Sequence, residues 1–371
     1  MHKWQDKELR LIKELLNKGE TVTSIAKLLG FTFSQVEHVI RRFNLKEGIH
    51  PTNISKPIKL KKEEIIQVTK EIGENLYKNY KEIKLEIPNA KKSIKGKEEH
   101  TILDISDVHI GMKNEVFDAK SGKKIITYNH KIFEKELAIL QKSIFEIHSL
   151  LSNVYALKKL TIFVLGDLIT NDRIFPEQVF EIDKVVGLQV WDAINYFTKF
   201  FVNLLNLYEH IDIVCIVGNH GRSTSNLYNE PVENNFEYFI YKVWEKQFAD
   251  IKRINVIIPS TRFYIHKIYN WKHLLMHGDA MRGSTDSYIE RQIKELTLNL
   301  GGFDVMHYGH FHKLKEREIS DKVIVKQNGC WISQESYALK VYKTYSVPKQ
   351  HIFGCNDKRP ETWGYKIDLR R

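Results

Sequence analysis

The chain has 371 residues, 42% of them apolar and 28% charged, the balance of a globular protein with room for one large domain and a small one. No stretch approaches the ~20 uninterrupted apolar residues of a membrane span, and MHKWQDKELR lacks the apolar core of a secretory signal, so a cytoplasmic protein with no membrane partner is expected. The net charge of +11 is uneven: residues 1–98 carry 21 Lys and Arg against 13 Asp and Glu, the remainder 36 against 33. A basic front end before a nearly neutral body points to a polyanionic partner, or else to a lysine-rich solvated surface. Cys215, Cys330 and Cys355 are far apart and form no CxxC pair, which reads as reduced thiols.

Residues 1–45 read as three short helices: about Trp4 to Asn17, with Leu9, Leu11, Ile12, Leu15 and Leu16 on one face, then Thr23 to Leu29, then about Ser34 to Phe43. Gly19 ends the first and Gly30 makes the turn before the third. Ala26 is small enough for two helices to approach, and Val36 and Val39 would seat the last one. This segment resembles the helix-turn-helix superfamily, which implies DNA binding. On that resemblance Thr32, Ser34, Gln35, Glu37, His38, Arg41 and Arg42 are the candidate contacts, with Gln35 and Arg41 able to make bidentate bonds to bases or phosphates. A three-helix protein-docking module is the alternative.

Residues 46–98 form a linker punctuated by Pro51, Pro57 and Pro88. Within it Lys61 to Tyr80 has a helical pattern, a spacer or an oligomerisation surface that would make a homodimer, and KKSIKGKEE reads as an exposed tether. From His100 short apolar strands alternate with helices. The strands are TILDIS, LTIFVLGD, IDIVCIVGN, INVIIP, HLLMHGD and DVMHYGH, and the helices fall at about 130–151, 177–208, 233–248 and 286–300. RFYIHKI, EREIS and KVIVKQNG look more antiparallel. The pattern argues an α/β domain over 99–320, with strands in 321–371 completing or capping it.

The polar residues that carry chemistry follow those strands: Asp107 and His109, Asp167, Asn219 and His220, His277, then His310 and His312. Loops at the carboxyl ends of strands are where open α/β sheets build sites. Taken singly, each His or Gly-Asp is an ordinary surface or turn feature. Their joint order, each after an apolar strand, is not.

The blocks Asp107–His109, Gly166–Asp167, Gly218–Asn219–His220, His277 and Gly309–His310–Phe311–His312 resemble the signature of the calcineurin-like metallophosphoesterase family. The likeness runs from residue 100 to about 320. GNHGR, MHGDAMRG and TWGYKIDL are similar to SbcD-like and phage-type nucleases. The resemblance implies a two-sheet sandwich flanked by helices, beside the small all-α helix-turn-helix domain. It implies two divalent metal ions, Mn first, with Fe, Zn or Mg also suited. One would be held by Asp107, His109, Asp167 and His312, the other by Asp167, Asn219, His277 and His310. Such a pair activates a hydroxide that attacks phosphorus in line, and His220 would assist the leaving group as the catalytic residue.

Two departures from the family pattern stand out. The phosphatase branch has Asp three residues after its Gly-Asp to orient the histidine, and here Thr170 stands there, leaving Asp172 as a substitute. Gly221 and Arg222 follow the Gly-Asn-His, making Arg222 a candidate phosphate clamp. Arg282 and Gly283 after the HGD segment, and Arg173 and Glu177 in a rim loop over 171–182, are further candidates. The expected function is therefore a metal-dependent phosphodiesterase acting as a nuclease on DNA, or on RNA. The alternatives are a phosphomonoesterase or nucleotide phosphodiesterase that docks through its front module, and a DNA-binding regulator with an inactive phosphoesterase domain.

Overall fold

The computed structural model describes residues 6–17, 22–42, 86–89, 96–118, 122–175, 178–224, 230–283, 285–319, 323–333 and 346–370. The chain divides into two compact units, Met1–Lys84 and Leu85–Arg371. The expected helix at Lys61–Tyr80 lies outside the described residues.

The first unit contains α1 (Asp6–Asn17), α2 (Val22–Leu29) and α3 (Phe33–Arg42). Ile12, Leu16, Ile25, Ala26, Val36, Val39 and Ile40 close a single small core. Gly30 turns the chain between α2 and α3 at φ +73°, a conformation that costs glycine nothing. Thr32 and Gln35 then form a capping box. Thr32 N donates to Gln35 Oε1 at 2.9 Å, and Gln35 N to Thr32 Oγ1 at 3.3 Å, satisfying donors that a helix start leaves open. The Gln35 amide oxygen is therefore engaged within its own helix, which removes the bidentate use of the amide. Ser34, His38 and Arg42 are exposed along α3, and the side chain of Arg41 lies outside the described residues.

The second unit is an α/β sandwich. Its six-stranded sheet has the order β13 (Trp363–Asp368), β12 (Lys349–Cys355), β1 (Lys97–Ile105), β4 (Tyr155–Val164), β5 (His210–Cys215), β6 (Ile254–Ile257). Strands β1, β4, β5 and β6 run parallel, and β12 and β13 are added antiparallel, so the C-terminal segment completes the sheet. The five-stranded sheet has the order β10 (Lys315–Ile319), β11 (Val323–Gln327), β9 (Val305–Tyr308), β8 (Trp271–Met276), β7 (Phe263–Ile268).

Alternate residues of each strand serve different layers, as pleating requires. Leu103, Ile105, Ile162, Val164, Ile213 and Cys215 pack under α4 (His130–Leu151), α5 (Val186–Leu204) and α6 (Phe236–Phe248). Ile102, Phe163, Val214 and Leu275 fill the layer between the sheets. Leu274, Met276, Met306 and Tyr308 meet α7 (Asp286–Leu300) on the far side. The inter-sheet layer also holds a buried polar stack, Asp104 Oδ2 to His307 Nδ1 at 3.0 Å and His307 Nε2 to His273 Nδ1 at 3.0 Å. All three cysteines are buried. Among the described residues no helix is long and apolar enough to cross a membrane.

Two elements differ from the sequence reading. The helix expected at 177–208 spans only Val186–Leu204. Gln178–Phe180 is instead one 3₁₀ turn, and Ile182 forms a bridge to Met112. A hairpin of β2 (Asn114–Asp118) and β3 (Lys123–Tyr128) went unpredicted. Its exposed faces, with Phe117 and Ile126 to solvent, give it no apolar run.

Candidate metal centre

Each donor predicted from the sequence stands just past a strand end. Asp107 and His109 follow β1, Asp167 follows β4, Asn219 and His220 follow β5, His277 follows β8, and His310 and His312 follow β9. Asp107, His109, Asp167, His310 and His312 all have φ between 52° and 66°, a region that costs an L-residue ~1–2 kcal/mol. Two glycines permit the loops to close on the donors. A Cβ on Gly218 would lie 2.1 Å from Asp167 Oδ1, and one on Gly309 2.3 Å from Asp107 Oδ2.

The seven predicted ligands converge. The ligand atoms of Asp107, His109 and His312 lie within 4.8 Å of one another, as do those of Asp167, His277 and His310. His312 Nε2 is 3.4 Å from Asp107 Oδ1 and 3.1 Å from His109 Nε2. His277 Nε2 is 3.0 Å from both Asp167 Oδ2 and Asn219 Oδ1. Asp167 stands between the groups, 4.0 Å from His109 Nε2 on the other side. His109, Asp167 and His220 make a third such group, so His220 borders the donors as well as the space in front of them.

This donor set fits divalent cations. Asp167 is 1% exposed, and its Oδ2 faces imidazole nitrogens, His277 Nε2 at 3.0 Å and His109 Nε2 at 4.0 Å. Its Oδ1 is occupied, accepting from His220 N at 2.8 Å. A buried carboxylate ringed by imidazoles is the mixed oxygen and nitrogen donor set that suits divalent transition metals. Burial, reinforced by the neighbouring His220 and His312, holds His109 well below the usual histidine range, and burial with His277 lowers His310 to about 4. Both rings are thus neutral donors. His277 behaves oppositely: burial opposes its charge, but the Asp167 carboxylate raises it to about 10. Its Nδ1 faces Leu165 O at 2.7 Å, which directs Nε2 at the centre.

The missing partner of His220 is a backbone carbonyl. His220 Nδ1 lies 2.9 Å from Thr170 O. Gln178 donates from Nε2 to the same carbonyl, and that nitrogen is 3.2 Å from His220 Nδ1. Gln178 Oε1 accepts from Ile174 N at 3.1 Å and Phe175 N at 3.3 Å, which fixes the amide's orientation. Asp172 does not substitute. Its Oδ2 accepts from Val186 N at 3.1 Å, capping α5, and its Oδ1 pairs with exposed Arg173.

Arg222 is 6% exposed, and its Nε has no hydrogen-bond partner. Asn171, at φ 71°, donates to His220 O at 2.8 Å and Arg222 O at 2.9 Å, holding that loop. Arg282 is exposed, and its backbone N–H donates to Tyr288 OH at 2.8 Å. The distances that join the other candidates do not include it. Glu177 lies outside the described residues.

Sequence reading missed Glu237. This buried α6 residue accepts from Leu168 N at 2.5 Å and Gly218 N at 2.6 Å, tying the Asp167 loop to the Asn219 loop. Burial and the nearby Asp167 charge raise it to about 7. Asn235, the α6 N-cap, donates to Gly218 O at 2.9 Å. An acidic residue on the apolar face of a helix was the one signal present.

No family model matches the chain. No curated protein matches it. Among solved structures it is similar to wild-type Vps29 of Entamoeba histolytica complexed with zinc, at 12% identity and a TM-score of 0.34, over 73% of this chain and 99% of that one. It is similar to a predicted phosphoesterase of Streptococcus pneumoniae TIGR4, at 9% identity and a TM-score of 0.29, over 72% and 98%. It is also similar to a 5'-nucleotidase of Candida albicans SC5314, at 9% identity and a TM-score of 0.34, over 76% of this chain and 54% of that one. Likeness at this level says nothing of what the site does.

Proposed function

We propose that the chain is a metal-dependent phosphodiesterase of the calcineurin-like class that cleaves nucleic acid, DNA first. One observation carries the reading: the Asp107–His109–His312 and Asp167–His277–His310 groups adjoin, with Asp167 Oδ2 4.0 Å from His109 Nε2 and His220 N bonded to Asp167 Oδ1. Asp107, His109, Asp167 and His312 would hold one cation, and Asp167, Asn219, His277 and His310 the other. A bound pair, Mn in the first instance, would supply Lewis acidity toward a phosphoryl group and an activated water.

The remaining work falls to the protein. Arg222 pairs with the phosphate oxygens that lose their water on binding. Thr170 O and Gln178 fix the His220 ring, so that Nε2 presents a proton to the departing oxygen. The basic first unit supplies the preference for nucleic acid, with Ser34, His38 and Arg42 on the solvent side of α3 and Arg41 beside them in sequence. Gln35 makes a bidentate bond to a base only by giving up its cap with Thr32. A homodimer would double this contact.

A cleavage panel tests the reading. It sets single-stranded, double-stranded and nicked DNA and RNA against Mn, Mg and Zn, with wild type and His220→Ala. Metal-dependent cleavage of DNA that His220→Ala loses supports it. Hydrolysis confined to phosphomonoesters or free nucleotides, unchanged when residues 1–45 are removed, replaces the nuclease with the nucleotide alternative. DNA binding by a metal-free, inactive chain would instead make it a regulator.

A further inference from the structure

We propose that Phe175 is a stacking platform for the nucleobase attached to the phosphate at the metal centre. The inference rests on the phosphoesterase reading above and names the chemistry of its substrate. Phe175 is 43% exposed, although a ring of that size gains by burial. It is not a loose surface residue. Its N–H is held by Gln178 Oε1 at 3.3 Å, and the neighbouring Ile174 N–H is held by the same oxygen at 3.1 Å. Its ring packs against His220, with centroids 5.4 Å apart, and His220 lies 4.5 Å from His109. The platform therefore adjoins the place where a leaving group would meet His220.

Arg222 strengthens the assignment. Its guanidinium lies over the Phe175 ring, 5.4 Å from the centroid, and is itself buried with Nε unbonded. One group thus backs the ring and offers a donor to a phosphate. A nucleotide matches this pair: an anion for the guanidinium and a flat π-face for the ring, one sugar apart. A stack on an aromatic ring tolerates any base, and a ring already fixed by its backbone costs little ordering on binding. The polar chemistry of phosphate transfer gives no reason for an open phenyl ring here. The base supplies one.

The test uses the full chain with Mn and four substrates: a single-stranded oligonucleotide, a fully abasic strand of the same length, a nucleoside 5'-phosphate and ribose 5-phosphate. Phe175→Leu keeps apolar bulk against His220 but removes the π-face, and Phe175→Trp restores one. Phe175→Leu should raise KM for the base-bearing substrate about tenfold, equal to ~1.4 kcal/mol, as expected for one base–aromatic stack. KM for the base-free partner should stay put, and Phe175→Trp should recover the loss. Any change in kcat through His220 should be the same on both members of a pair. The platform is refuted if Phe175→Leu moves both members alike, as a packing role or a protein-docking role would, or if wild type does not distinguish them. If oligonucleotides resist cleavage but the nucleotide pair shows the Phe175-dependent difference, the nuclease reading fails and the platform stands for free nucleotides. If none of the four is hydrolysed, both fall.

Discussion

Replacing Gln178 by Ala removes one amide and three of its hydrogen bonds: those from Ile174 N and Phe175 N to Oε1, and the one from Nε2 to Thr170 O. Each such bond contributes ~1 kcal/mol net, so a stability loss of about 2–3 kcal/mol is expected, visible as a lower Tm. The larger effect falls on catalysis. Thr170 O would keep His220 as its partner but lose the group that fixes its position, and the His220 ring would wander. Misplacement of a catalytic group by about 1 Å can cost roughly 100-fold, so kcat should fall about 10- to 100-fold, with KM within a factor of about two on substrates that carry no base. Leaving groups provide the discriminating assay. A 4-nitrophenyl ester departs without needing a proton, whereas a nucleoside or alkyl alkoxide needs one. Gln178→Ala should therefore harm the alkoxide substrate far more than the nitrophenyl ester. Equal losses on the two, or an unchanged kcat on the alkoxide, would show that Gln178 does not act through His220.

The remaining predictions concern metal, packing and pH. Asp167→Asn should leave fewer than two metal ions per chain by elemental analysis and lower activity more than about 100-fold, while chelation of wild type should abolish activity and added Mn restore it. Glu237→Gln can accept from only one of its two backbone donors and turns an N–H toward the other, so metal affinity should drop about 10- to 100-fold in a titration followed by calorimetry. Glu136 is 3% exposed on α4, and burial together with the Asp368 charge raises it from 4.5 to about 9. The folded chain keeps this proton where the unfolded chain releases it, so its contribution to stability declines as pH rises from about 4.5 toward 9. Glu136→Gln should raise Tm more at pH 8 than at pH 5, by up to about 4 kcal/mol of relative stability; an equal shift at both would contradict the assignment.

The donors were legible in the sequence because their chemistry admits few residue types, and because each follows a run of apolar residues that can only be a buried strand. Helices at 130–151 and 286–300 were legible for a similar reason, their apolar periodicity being long and uninterrupted. The segment 178–185 was misread because Val179, Phe180, Ile182 and Val185 make it look like a continuation of the helix that follows, yet its Gln178 serves the site rather than the core. Gln178 turns inward to Thr170 while Val179 and Phe180 face solvent. Asp172 looked like a partner for His220 by type and proximity in sequence, but an open helix start claimed it first. Gln178 and Phe175 carry no signature of their own, and Glu237 only that of an acid on an apolar helix face. An amide, a carboxylate and a phenyl ring occur everywhere, and only the fold brings these against His220 and the donor loops. Gln35 shows the converse, a plausible bidentate reader of bases whose amide oxygen is committed to its own helix.

The left-handed backbone at Asp107, His109, Asp167, His310 and His312 restricts which donors this centre could have used. Asp, Asn and His are the side chains other than glycine that enter that region most readily; a β-branched or bulky replacement would be excluded by its backbone before its coordination chemistry mattered. Aspartate and histidine are therefore selected twice at these positions, once by the cations and once by the turns that bring five strand ends to a point. A Glu in place of Asp107 or Asp167 would keep the charge, lengthen the reach and sit worse in the turn. Exchanging one metal preference for another in this scaffold is accordingly easier by trading Asp, Asn and His among themselves than by importing any other ligand.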